Sequence, residues 1–316
     1  MLTASRRAQV LTKPGLAAQF LHVSLLLLML AACLVTRPAL AADTAPQPAL
    51  WKLEDEDSEI WLFGTVHILN PALKWRTAAI DAALEKADTF YSEAPVADAD
   101  AATMQPLITQ YGVNHSGVPF TEKLSPKGQQ DLKAMMVLLG LKADAVKQLE
   151  PYRPWLAGVT LGALQVQMKG GDPEAGVDKI LWHQAAQAGK TLGYFETLEQ
   201  QISLFGAMSE EEELKFFEDG IRQMITEPDL LDEIIRDWQA GRVEALAHKL
   251  NGALEGQASL RDRMLTGRNR AWAATIADLM AGSGRIFVAA GAGHFAGDGS
   301  VQDQLEKLGF TVNRVQ

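Results

Sequence analysis

Two histidines each stand three residues after a glycine, behind an apolar run. Gly64-Thr65-Val66-His67 follows Ile60-Trp61-Leu62-Phe63, and Gly291-Ala292-Gly293-His294 follows Ile286-Phe287-Val288-Ala289-Ala290. Such runs read as strands, so both imidazoles leave a sheet near a strand's C-terminal end, where ligand sites of sheet-based folds gather. The glycines allow a sharp turn and close approach of a ligand. A third copy, Gly112-Val113-Asn114-His115, has no strand before it and is set aside. Glu93 ends a further apolar stretch, Thr89-Phe90-Tyr91-Ser92, and would join His67 at the same edge if the two strands are parallel neighbours. Two imidazoles and a carboxylate suit a divalent transition metal with positions open to water. The same residues allow other readings: Glu93 as a general base acting on water directly, or histidines satisfied by the backbone beside a solvated carboxylate.

Three more groups could contribute. Asp178 opens a helix in Gly176-Val177-Asp178-Lys179, where a carboxylate also simply favours the positive helix end. Glu196 follows the apolar segment 190–195, and Thr197 with Gln200 spells a capping box directly behind it. Arg268 lies midway along a helical run. Turned outward it is an exposed basic turn, and turned inward it could grip a substrate carboxylate or oxyanion bidentately. The run Glu210-Glu211-Glu212-Glu213 reads as a solvated helix start. No nucleophile elbow, P-loop or zinc-protease helix occurs, and Gly291-Ala292-Gly293 lacks the third glycine of a dinucleotide fingerprint.

The elements that must position these groups read as α+β. Segments 50–53 and 60–63, parted by an acidic turn, form a hairpin. A helix over 75–87 and a strand over 89–93 complete a strand–helix–strand unit. The middle is mostly helical: Ser125 caps a helix with Pro126 at its first position, and further helices fall near 152–168, 174–189, 197–207, 209–226, 229–239 and 242–253. A long helix over 261–281, a buried strand over 285–290, a helix over 301–308 and a last strand over 310–312 close the chain. The expected architecture is a central sheet with strands from both chain ends, flanked by helices, with a mostly helical middle insertion.

Composition excludes several classes. The chain has 316 residues, 47% hydrophobic and 22% charged, which excludes wholesale disorder. Its 29 Lys and Arg against 39 Asp and Glu give a net charge of -10, which argues against a nucleic-acid partner. The basic start, the apolar run 20–35 and the small residues at 39–41 have the layout of a signal peptide. That run is shorter than the roughly 20 residues a membrane span needs. Cleavage is expected after Ala41, with Leu30-Ala31-Ala32-Cys33 as an alternative lipobox that would lipidate Cys33 and anchor the chain to a membrane. Removing residues 1–41 takes away four cations and no acid, moving the charge from -10 to -14 and deleting the single cysteine. The expected organisation is a leader over 1–41, a linker over 42–49 and one domain over 50–316, exported to the periplasm or beyond.

The motifs taken together resemble the TraB/GumN family. The resemblance rests on 61–69 (WLFGTVHIL), Tyr91-Ser92-Glu93, Gly176-Val177-Asp178, 193–201 (GYFETLEQQ), Arg268-Asn269-Arg270-Ala271-Trp272 and 288–297 (VAAGAGHFAG). Phe195 stands where a leucine is usual. The likeness spans nearly all of the mature chain. It implies an α+β fold akin to erythromycin-esterase-like and ChaN-like proteins, and kinship with Tiki, a membrane-anchored metal-dependent protease. By that resemblance His67, Glu93 and His294 form the site core, with Arg268 and Glu196 as supporting groups. The expectation is an exported metal-dependent hydrolase, peptidase-like, holding a Mn- or Zn-class ion and acting on a peptide or small-molecule substrate. Because the family also includes members tied to pheromone shutdown and exopolysaccharide clusters, a non-catalytic peptide- or glycan-binding regulator of the cell envelope is the rival expectation.

Overall fold

β1 (Leu50–Glu54) and β2 (Ser58–Thr65) form the expected hairpin, antiparallel in register Leu50↔Phe63 to Glu54↔Glu59. Asp55 closes its turn by accepting from the backbone N–H of Ser58 at 2.8 Å. This computed structural model describes residues 45–97, 99–252 and 257–316. The expected leader, Cys33 and both cleavage sites lie outside the described residues.

The fold class is α+β, with strands from both chain ends in one six-stranded mixed sheet. β3 (Thr89–Ser92), β4 (Thr191–Tyr194), β5 (Gly284–Gly291) and β6 (Asn313–Arg314) complete it in the order β4-β3-β5-β2-β1-β6. β4, β3, β5 and β2 run parallel, and β1 and β6 add an antiparallel edge. The strand expected over 310–312 forms instead at Asn313–Arg314, where Arg314 reaches Trp51 of β1. β2 and β3 are parallel but not neighbours, because β5 inserts between them.

Helices cover both faces, which is why β2 and β5 are apolar without alternation. On one face Phe63, Phe90 and Phe287 meet α1 (Ala78–Lys86) through Ile80 and Leu84 and α5 (Val177–Gln187) through Val177, Leu181 and Ala185. α8 (Leu230–Gln239) and α9 (Val243–Gly252) close that face with Trp238 and Leu246. On the other face Leu62, Val288 and Ala290 meet α11 (Gly267–Met280) through Trp272 and Ile276, and α12 (Val301–Lys307) through Val301 and Leu305.

The insertion holds α2 (Ala101–Gly112), α3 (Pro126–Leu138), α4 (Pro154–Met168), α6 (Leu198–Gly206) and α7 (Glu210–Thr226). It has apolar cores of its own, one of them joining Met135, Leu161 and Phe217. Both expected caps form: Ser125 accepts from Gly128, and Thr197 with Gln200 makes a reciprocal box. The acidic run at 210–213 is not wholly solvated. Glu213 is buried and ion-paired to Arg153, because three Arg153 donors are already fixed on backbone carbonyls beside it. The helix expected over 261–281 is broken. The short α10 (Ala258–Arg261) leads into a π-turn at Asp262–Thr266, and only then does α11 begin.

Phe287 is fully buried at the sheet centre, its ring 6.1 Å from both Phe90 and Phe63. Phe287→Ala is expected to lower unfolding free energy by about 3–5 kcal/mol, read from the urea midpoint at unchanged slope.

Candidate functional site

Four parallel strands end at one edge of the sheet, where Thr65 aligns with Gly291 and Ser92 aligns with Ala289 and Tyr194. His67, Glu93, Glu196 and His294 each lie one to three residues past the end of their strand. The topology therefore gathers four chemistry-bearing side chains from distant parts of the chain on one crest. Arg268 comes down onto it from α11. The π-turn just upstream inserts one extra residue into the helical winding and so sets the direction of the following side chains. Arg268 Nη1 donates back to the Met264 carbonyl of that turn at 3.1 Å.

Arg268 is the hub. Its Nε donates to Glu196 Oε1 at 2.7 Å and its Nη2 to Glu196 Oε2 at 2.9 Å and Glu93 Oε2 at 2.7 Å. Nη1 approaches His294 Nε2 at 3.0 Å. With the Met264 contact, all five guanidinium N–H groups are used. Trp272 lies under the guanidinium, 4.7 Å from its centre, and donates Nε1–H to Glu196 Oε1 at 3.0 Å. A ladder of rings, Tyr91–Phe195–Trp272–His294, runs behind this layer at spacings of 5.2, 5.0 and 4.2 Å.

The arginine settles the His294 tautomer. A guanidinium only donates, so Nε2 accepts and the ring proton sits on Nδ1, which donates to Asn269 Oδ1 at 2.5 Å. Asn269 is fully buried, and its amide orientation is fixed in turn by donation to the Gly299 carbonyl at 2.7 Å. Glu93 is locked too: Oε1 accepts from the Gly291 N–H at 2.7 Å, and Oε2 from Gln201 at 3.0 Å as well as from Arg268.

His67 is the open member. Its side chain is 60% exposed, with Nδ1 3.1 Å from Asp178 Oδ1 and Nε2 3.8 Å from Glu93 Oε1. Asp178 Oδ1 has no aligned hydrogen bond, so the attraction is chiefly one of charge. The Val177 N–H donates to the Val66 carbonyl at 2.9 Å, and Leu69 bridges Asp172, which hold the His67 loop against the start of α5. Gly176 makes this approach possible, since a Cβ there would strike the His67 carbonyl.

Charges follow from these contacts. The Asp178 carboxylate, helped by Glu93, raises His67 to a pKa of about 9 against the cost of its partial burial. Burial works against Glu93 ionising, but His294, His67 and Arg268 with the Gly291 N–H hold it near 2. Burial dominates His294, which Arg268 also repels, and lowers it to about 3. At neutral pH the site thus holds a cationic His67, a neutral His294 and ionised Glu93. Burial opposes the charge on Arg268, but its contacts to Glu196 and Glu93 raise its pKa above the ordinary value.

His67, Glu93 and His294 do converge, with Glu93 3.8 and 4.0 Å from the two imidazoles. In this arrangement they do not fit a divalent ion: the His294 and Glu93 lone pairs are turned onto Arg268, a fixed positive charge. Among the described residues, no three His, Cys, Asp or Glu side chains are grouped to hold a metal. Arg268 points inward, but with every donor used it has none spare for a substrate anion. Asp178, a possible contributor from sequence, does join the site beside His67, and the residues joined beyond those singled out from sequence are Asn269, Trp272 and Gln201. A helix-start aspartate and neighbours of Arg268 were visible as signals, but their direction was not. His115 lies apart on an exposed loop, against the Thr109 carbonyl.

Fold and site define an α+β protein whose parallel strands end in a buried Arg–Glu–Glu–His network with one exposed histidine beside it. The model of the TraB/PrgY/gumN family matches residues 49–314, and the chain belongs to that family. No curated protein and no solved structure matches it.

These shifts give stability a pH signature. Between 6.5 and about 3 the unfolded chain takes up a proton that His294 refuses, so stability falls with falling pH; below 4.5 Glu93 adds to that loss. His67 acts oppositely: its contribution is complete below 6.5 and is lost as pH rises through about 9. Thermal midpoints are expected to decline on both sides of about pH 6.5, and His67→Gln to abolish only the alkaline decline. An alkaline arm unchanged in that variant would refute the assignment.

Proposed function

We propose that the protein is an exported hydrolase of amide or ester bonds, with peptides as the leading substrate class and His67 as the reacting group. The domain over 50–316 would follow a removable leader over 1–41 and a short linker. One observation carries the chemistry: Glu93, Glu196, His294 and Arg268 have their hydrogen bonds spent on one another and their neighbours, whereas the His67 side chain is 60% exposed and its Nε2 stands 3.8 Å from Glu93 Oε1. Among the described residues it has no partner within hydrogen-bonding distance. Asp178 behind Nδ1 makes the imidazole a stronger base and stabilises the imidazolium. His67 takes a proton from water as the water attacks the carbonyl, then returns it to the leaving group. Glu93, Arg268 and Glu196 hold the floor beneath it, with Glu93's negative charge facing the imidazolium that forms.

The reactive form is the neutral imidazole, so kcat/KM rises with pH toward an apparent pKa near 9. Asp178→Asn removes the largest contribution raising His67 and moves this limb toward 6.5, with a lower plateau. A rate that stays flat or falls from pH 7 to 10 would count against His67 as base.

Two other readings stay distinguishable. The convergence of His67, Glu93 and His294 favours a metal-dependent hydrolase with a Mn- or Zn-class ion, provided Arg268 swings away. The saturation of the buried network favours a rigid peptide- or glycan-binding regulator. The chain without residues 1–41, screened against peptide and ester libraries with and without chelator, separates them. Cleavage that survives chelation and is lost in His67→Ala supports the proposal. Cleavage restored by Mn²⁺ or Zn²⁺ supports the metal reading, and capture without turnover supports the regulator.

A further inference from the structure

The buried centre of the site sets residue types that can ligate a metal around a side-chain cation. Glu93, Glu196 and His294 converge from the ends of three strands on one guanidinium, Glu196 at Nε and Nη2, Glu93 at Nη2 and His294 at Nη1. Each is steadied from behind. Gly291 and Gln201 hold Glu93, Trp272 holds Glu196, and Asn269 takes the far nitrogen of His294. A carbonyl on the far ring nitrogen is the arrangement that orients an imidazole for metal ligation. The guanidinium they face is that of Arg268, with contacts of 2.7 to 3.0 Å.

We propose that Arg268 is a built-in cation standing where a divalent ion would sit, and that removing its guanidinium turns Glu93, Glu196 and His294 into a divalent transition-metal site. In the unaltered protein every inward lone pair is taken and the central charge repels a second cation. Without the guanidinium, two nearly buried carboxylates, with side chains 10% and 11% exposed, lose their counter-charge. Buried anions left so are strongly destabilising. A divalent cation compensates both if the ligand atoms draw in to about 2.0–2.2 Å of it. His67 is not in this donor set, which separates it from the His67–Glu93–His294 triad. The inference concerns binding alone and stands whether or not the site hydrolyses anything.

The test is titration with Co²⁺, followed by its visible absorption, and with Zn²⁺, followed by calorimetry. It uses the chain without residues 1–41, unaltered and as Arg268→Ala. The unaltered protein is expected to bind neither ion stoichiometrically. Arg268→Ala is expected to bind one equivalent at least about tenfold tighter than any residual binding, with a raised melting temperature. Adding His294→Ala should remove this gain, and adding His67→Ala should spare it. If Arg268→Ala does not fold without metal, refolding of Arg268→Met, which keeps volume and loses charge, should depend on Zn²⁺. One equivalent bound by the unaltered protein and lost in His294→Ala overturns the proposal. So does an Arg268 variant that binds no more metal than its parent, or that refolds without regard to Zn²⁺.

Discussion

A guanidinium held between two glutamates at the end of a parallel sheet is the contact on which the rest of this site depends. Buried charges are tolerated when every donor and acceptor is matched, and become a liability when one partner is missing. Arg268 meets that condition with Glu93, Glu196, His294 and its own helix. Satisfying it fixes the other positions. The tautomer of His294, the amide of Asn269 and the direction of Glu93 all follow from where the guanidinium donors point. The π-turn ahead of α11 belongs to the same constraint, because a continuous α-helix would wind Arg268 to a different face.

The second layer of organisation is topological. Parallel strands deliver their C-terminal ends to one edge, so four loops from sequence positions as far apart as 67 and 294 supply one crest. The arrangement divides labour. The groups beneath are buried and paired, with Glu93 held ionised and His294 neutral across the neutral range. His67 remains exposed, with Asp178 placed behind it by the close approach of Gly176. A rigid floor beneath an exposed imidazole keeps that ring oriented while leaving its side chain open to solvent.

Much of this was legible in the residues. The runs at 60–63 and 286–290 are apolar on both faces, which marks buried strands, and the histidines after them had to emerge at strand ends. The hairpin, the Ser125 cap and the Thr197–Gln200 box are local features governed by neighbouring residues. What could not be read depends on long-range packing. That β5 inserts between β2 and β3 is decided by tertiary pairing. Periodicity over 261–281 shows a helix but not the extra residue of a π-turn. The helix at 101–112 contains Pro106, which argues locally against a helix there. Glu213 looked solvated because its partner, Arg153, lies on another helix. Asp178 carried a sufficient local explanation as a helix-start acid, and only the folded loop shows that it faces His67.

The central claim is that Arg268 commits His294 to one neutral tautomer while His67 alone remains free to titrate. Nitrogen NMR of the imidazole rings in ¹⁵N-histidine-labelled protein, titrated from pH 5 to 10, tests this most directly. The account predicts that His294 stays neutral with its proton on Nδ1 from pH 5 upward, while His67 is doubly protonated at neutrality and loses a proton near pH 9. A His294 that titrates near its ordinary 6.5, or carries its proton on Nε2, would contradict it.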